Sequence, residues 1–217
     1  MKVTALALTS FLAFGTLVGT SSCSTAYYGA MEKLGYEKRH ILVTRVKKAK
    51  STQIEAKEEF SSALDEFIAV SNYKGGDLEK MYRRIETAYG KADTRAKDVR
   101  GRNEAVTNTG KALFKEWNAE IKQYSDPELA AASRLQYTAA EERFGELQVA
   151  MRNDGAKRDP VLDKFKDQSL FLKHNLNAKA ISALQSQVTR VKIDVDRLIR
   201  DMERSIAESD RFISEMR

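Results

Sequence analysis

Apolar residues recur along this chain at alternating steps of three and four for most of its length. The pattern is clearest near the C-terminus, where Ile181, Leu184, Val188, Val191, Val195, Leu198, Met202, Ser205, Ser209, Phe212 and Met216 keep one phase. Residues at that spacing share one face of a helix and form a seam along it. Ile199, Ile206 and Ile213 add a second column beside the seam. Two adjacent apolar columns call for two neighbours, so the pattern predicts a bundle rather than a two-stranded coil.

The same step marks three earlier helices, giving helices over about 32–72, 78–124, 127–173 and 178–216. Tyr73-Lys74-Gly75-Gly76 ends the first, because a glycine pair allows a tight reversal, and Asp77 caps the second. Ser125-Asp126-Pro127-Glu128 is a start signal, with proline just inside the third helix. Asn153-Asp154-Gly155 and Asp159-Pro160 look like breaks, yet the apolar phase runs from Met151 to Val161 unchanged. The third helix is therefore expected to be continuous, with a kink at Pro160. Asn175 is expected as a left-handed cap and Asn177 as the cap of the last helix.

Short connections make neighbouring helices antiparallel. The predicted fold is all-α: an elongated up-down-up-down four-helix bundle, an antiparallel coiled-coil rod. One register pairs Phe67 with Tyr82 across the first turn. It places Trp117 by Tyr137 and Gly110 by Phe144 across the second, and Phe144 by Ser205 across the third.

The N-terminus breaks the helical pattern. Lys2 precedes an uncharged apolar stretch from Ala5 to Val18, and Thr20-Ser21-Ser22 leads into Cys23, the single cysteine of the chain. This reads as an export signal over 1–22. It resembles a bacterial lipoprotein signal, which implies cleavage before Cys23 and acylation of that residue. Thr20 departs from the leucine usual three positions before the cysteine. A plain secretory signal or a membrane-spanning helix is the alternative, and the apolar run is short for a span. Ser24, where an aspartate would signal retention, points by the same resemblance to the outer membrane, facing the periplasm. Residues 23–30 then form an anchor and linker, and 31–217 the helical domain.

Composition supports long helices: two prolines in 217 residues and 31% charged side chains. The net charge is +6, or +5 once Lys2 is removed with the signal. With one cysteine, the chain has no internal disulfide.

Chemistry-bearing clusters are few. His40 and His174 are far apart in the pattern and no metal site or catalytic set can be assembled, so no enzyme activity, metal or cofactor is expected. Thr109-Gly110-Lys111 is not a phosphate loop, because Ala105 and Ala112 stand where glycine and serine or threonine are required. Gln53, Asn103, Asp154 and Arg158 fall in the seam as a polar layer, with Asp154 and Arg158 spaced to pair along one helix. That layer either fixes the register or marks a hinge, and the first reading is preferred. Lys38, Arg45, Lys47 and Lys48, with Lys33, Arg39 and Lys50, form a basic cluster that either faces anionic lipid or is a solvated helix face. Nucleic acid is not expected, since the aromatic residues sit in the seam rather than among the charges. Tyr73, Lys74, Phe171 and His174 fall at the end far from the anchor and are the candidate partner-binding tip.

Segments at 31–43, 53–64, 75–79, 112–117 and 167–181 resemble a bacterial lipoprotein family known as domain-of-unknown-function family 2959. The most specific is Asp167-Gln168-Ser169-Leu170-Phe171-Leu172-Lys173-His174-Asn175-Leu176-Asn177, which helical composition alone does not produce. The resemblance implies a helical envelope lipoprotein and brings no catalytic residue, cofactor or substrate. The expected function is a non-enzymatic, lipid-anchored scaffold or binding module. Its partners are the membrane, through the anchor, and another envelope protein. The alternative is a stress or remodelling protein whose basic first helix binds anionic lipid.

Overall fold

A computed structural model describes residues 38–216, and among them it holds five helices and no strand. They are α1 (Lys38–Ser71), α2 (Leu78–Ile121), α3 (Pro127–His174), α4 (Ala178–Gln185) and α5 (Val188–Glu215). The starts of α2 and α3 have a chemical cause. Asp77 accepts from the Lys80 amide at 3.0 Å, and Asp126 from those of Glu128 and Leu129, just before Pro127. Such bonds satisfy donors that the first turn leaves open. Gly75 and Gly76 have φ of +149° and +122°, which only glycine adopts freely, and they reverse the chain between α1 and α2.

α3 runs unbroken through Asn153, Gly155 and Pro160 for 48 residues, about 70 Å at 1.5 Å per residue. Its end corrects the expectation for Asn175, which is not left-handed but has φ −135°. Instead, the Asn175 side-chain amide donates to the Phe171 carbonyl at 2.9 Å and closes the last turn.

α1 packs on α2 and α5, and α3 packs on the same two, so the four long helices form a ring. Cross-links show that each neighbouring pair is antiparallel. Lys38–Glu116 (2.6 Å) and Arg84–Glu66 (2.7 Å) join α1 to α2. Arg100–Asp159 (2.7 Å) joins α2 to α3, and Arg143–Glu215 (2.7 Å) joins α3 to α5. Lys50–Asp210 (2.5 Å) and Lys57–Glu203 (3.2 Å) join α5 to α1.

Two features of the last helix differ from the sequence expectation. It is interrupted at Ser186–Gln187, where the Ser186 hydroxyl donates to the Ala183 carbonyl and the Gln187 amide bonds Leu184. Serine competes with the helical ladder in this way. Both residues keep right-handed φ and ψ, so the interruption tightens the helix without reversing it. The register also differs. Phe144 meets Phe212, at 6.0 Å between ring centroids, rather than Ser205, seven positions earlier. A seam that repeats every seven residues matches itself again one heptad along. The connection decides between the two registers, and here it includes α4, which packs on α1 and α3.

The apolar interior falls into two clusters. One holds Phe60, Phe67, Phe165, Leu172, Leu184 and Leu198; it lies toward the 72–77 and 175–177 turns. The other holds Leu42, Leu113, Phe114, Phe144, Leu147 and Phe212, toward the 122–126 turn. Along α1 the boundary lies between Ala49 and Ala56, and along α3 between Met151 and Val161.

Candidate functional site

That boundary is occupied by Gln53, Asp154 and Arg158, whose relative exposures are 2%, 0% and 2%. Gln53 Nε2 donates to Asp154 Oδ2 at 2.7 Å, and Arg158 donates to the same oxygen from one turn further along α3. Arg158 also donates to the Ala96 carbonyl of α2 at 3.4 Å. The trio therefore ties α1, α2 and α3 at one level. Asp154 Oδ1 and Arg158 Nε have no partner there. Burial raises the Asp154 pKa above its ordinary 3.8. Arg158 and the Gln53 bond oppose that shift, and the nearby Asp201 carboxylate adds to it. Asp201 is itself buried and ion-paired with Lys157. Asn103 does not join this set; it is half-buried on α2.

The basic stretch of α1 is divided among neighbours. Lys38 binds Glu116, and Arg39 Nε donates to the Met216 carbonyl at 2.9 Å. Arg45 donates to the Ala105 carbonyl at 3.1 Å and to the Thr109 hydroxyl, and Lys50 binds Asp210. Lys47 and Lys48 remain exposed. Long cationic side chains lie along the bundle and deliver their charge to the next helix. Lys33 and Cys23 lie outside the described residues.

At the 122–126 end the second cluster is aromatic. Trp117 and Tyr137 meet edge to face at 5.7 Å, and Phe114 lies 5.4 Å from Phe144. The Phe144 ring lies directly on Gly110, so close that an added Cβ would overlap three ring atoms. Beside these rings a groove of about 370 Å³ is lined by Lys111, Lys115, Tyr137, Glu141 and Gly145. Of these ring contacts the sequence pattern predicted Trp117 with Tyr137 but not those of Phe114, nor the groove, which exists only once α2 and α3 are side by side.

At the opposite end the α1–α2 and α3–α4 turns lie together. Tyr73 is half-buried against the first cluster, with its hydroxyl against Gly76, and Lys74 is exposed. Phe171 and His174 are exposed at the end of α3. The structure adds Leu170 and Leu176, both exposed, to this end. Neither falls in the seam, but that alone did not mark them as exposed, since Leu64, Phe114 and Leu162 are also off the seam and are buried.

No group of three His, Cys, Asp or Glu residues that could hold a metal ion occurs among the described residues. None of the described helices is long and apolar enough to cross a membrane. A family model described as "Protein of unknown function (DUF2959)" matches residues 27–216. No curated protein matches the chain.

Proposed function

The chain belongs to the DUF2959 family, and from that premise we propose that it is a non-enzymatic, lipid-anchored protein of the cell envelope. Its helical bundle is an elongated scaffold that binds other envelope components. The observation that carries this reading is the contrast between the interior and the turn end. Inside, Gln53, Asp154 and Arg158 bond to one another and to backbone, holding helices together. At the turn end, large apolar side chains are left facing solvent. The signal-like sequence ending at Cys23 supplies the anchor in this proposal, and Ser24 supports an outer-membrane address.

Two experiments test it. Cells given a labelled fatty acid should label the wild-type protein and not Cys23→Ser; equal labelling ends the anchored reading. Crosslinking in native envelopes should capture a partner that Phe171→Ala plus His174→Ala loses while staying folded. Identical partner sets would remove the tip from the proposal. The remodelling alternative keeps less support, because Lys38 and Arg45 of the basic helix are engaged with α2.

A further inference from the structure

Three large apolar residues stand within seven positions at the turn end: Leu170 is 47% exposed, Phe171 41% and Leu176 43%. Leu170 lies on the face of α3 shared by Lys166 and Lys173, at i−4 and i+3. Lys179 is in the first turn of α4, and Lys74 is in the adjoining α1–α2 turn. All four lysines are exposed, and none is in an ion pair among the described residues. Of the four nearby acids, two are engaged. Asp163 and Asp167 are exposed on α3, while Asp77 caps α2 and Glu79 pairs with Arg83.

We propose that this end of the bundle docks on an anionic lipid surface, with Leu170, Phe171 and Leu176 entering the headgroup layer and the lysines contacting its phosphates. Apolar side chains flanked by lysines are the composition of an interfacial contact. The cations that flank the three apolar residues in sequence are all lysines. Flexible point charges suit a fluid layer of headgroups, whereas a defined carboxylate on a protein partner favours the planar fork of arginine. The inference rests on the proposed function only in using the same end for docking. It does not require the anchor.

The test uses the full chain carrying Cys23→Ser and Ala178→Cys, with an environment-sensitive dye on the new thiol. Ala178 is exposed beside the three apolar residues and is not one of them. Vesicles rich in phosphatidylglycerol should shift the dye emission to the blue, and high salt should reverse the shift. Neutral phosphatidylcholine vesicles should not produce it, nor should a dye at Ala156→Cys, exposed in the middle of α3. Adding Lys173→Gln and Lys179→Gln should raise the vesicle concentration at half-shift roughly 20–30-fold, at about 1 kcal/mol per lysine. No shift at Ala178→Cys, or an equal shift with neutral vesicles or at Ala156→Cys, overturns the proposal. So does a shift given by polyglutamate and not by vesicles, which would assign the surface to an acidic protein. A failed crosslink with an intact vesicle response would count against the protein-scaffold reading alone.

Discussion

Gly110 tests the packing most sharply, because two established effects oppose each other there. It lies inside α2, where replacing glycine by alanine stabilises a helix by about 0.8–1.0 kcal/mol. Against that, a Cβ at Gly110 would meet three atoms of the Phe144 ring well inside contact distance. Phe144 cannot easily retreat, being 5% exposed and held between Phe114 at 5.4 Å and Phe212 at 6.0 Å. Overpacking of this kind costs about 1–3 kcal/mol. Gly110→Ala should therefore lose up to roughly 2 kcal/mol net. Gly90 and Gly101, also inside α2, have nothing within 4 Å of an added Cβ, so alanine there should gain stability. Urea unfolding followed by circular dichroism would compare midpoints at constant slope. Combining Gly110→Ala with Phe144→Leu should cost less than the sum of the two single changes. A Gly110→Ala midpoint at or above that of Gly101→Ala would refute the close α2–α3 approach.

The buried trio predicts an asymmetry: Arg158→Leu alone should cost about 3 kcal/mol or more, while leucine at Gln53, Asp154 and Arg158 together should be near neutral or stabilising. A triple variant less stable than the single one would show that the polar contacts contribute net stability. The raised Asp154 pKa predicts a pH effect with a definite sign. The folded state holds that proton more tightly than the unfolded chain, so its contribution is fully present below pH 3.8 and is lost as pH rises through the raised value. The stability of wild type relative to Asp154→Asn should accordingly fall between acidic and neutral pH, and a rise in urea unfolding measurements would contradict the assignment. Pro160 is exposed within a continuous helix, so Pro160→Ala should restore a donor to the Ala156 carbonyl and gain up to about 3 kcal/mol. A loss of stability would mean that the chain there needs the proline geometry.

Much of the fold was legible because helical periodicity is a local property. Met151 and Val161 keep phase across Asn153, Gly155 and Pro160, and α3 does run through them. Asp77 and Asp126 announce helix starts because capping acts over three residues. The contact of Gly110 with Phe144 was readable because a short turn fixes the α2–α3 register and leaves the large ring facing the small residue. The candidate site was legible in part. Asp154 and Arg158 had the spacing to pair, whereas Asn103 followed the seam and still ended half-buried outside the trio.

By itself, then, the sequence determined most of the residues that face inward, where most helices start and stop, and that the fold is all-helical. Tertiary structure alone decided which heptad of α5 lies against α3. A seven-residue repeat is degenerate to a seven-residue shift, and the break at Ser186–Gln187 and the placement of α4 resolve it. It also decided where the cations of α1 go. A lysine or arginine side chain reaches whichever acceptor the neighbouring helix presents, so Lys38 and Arg45 bind α2 while Lys47 and Lys48 stay in solvent.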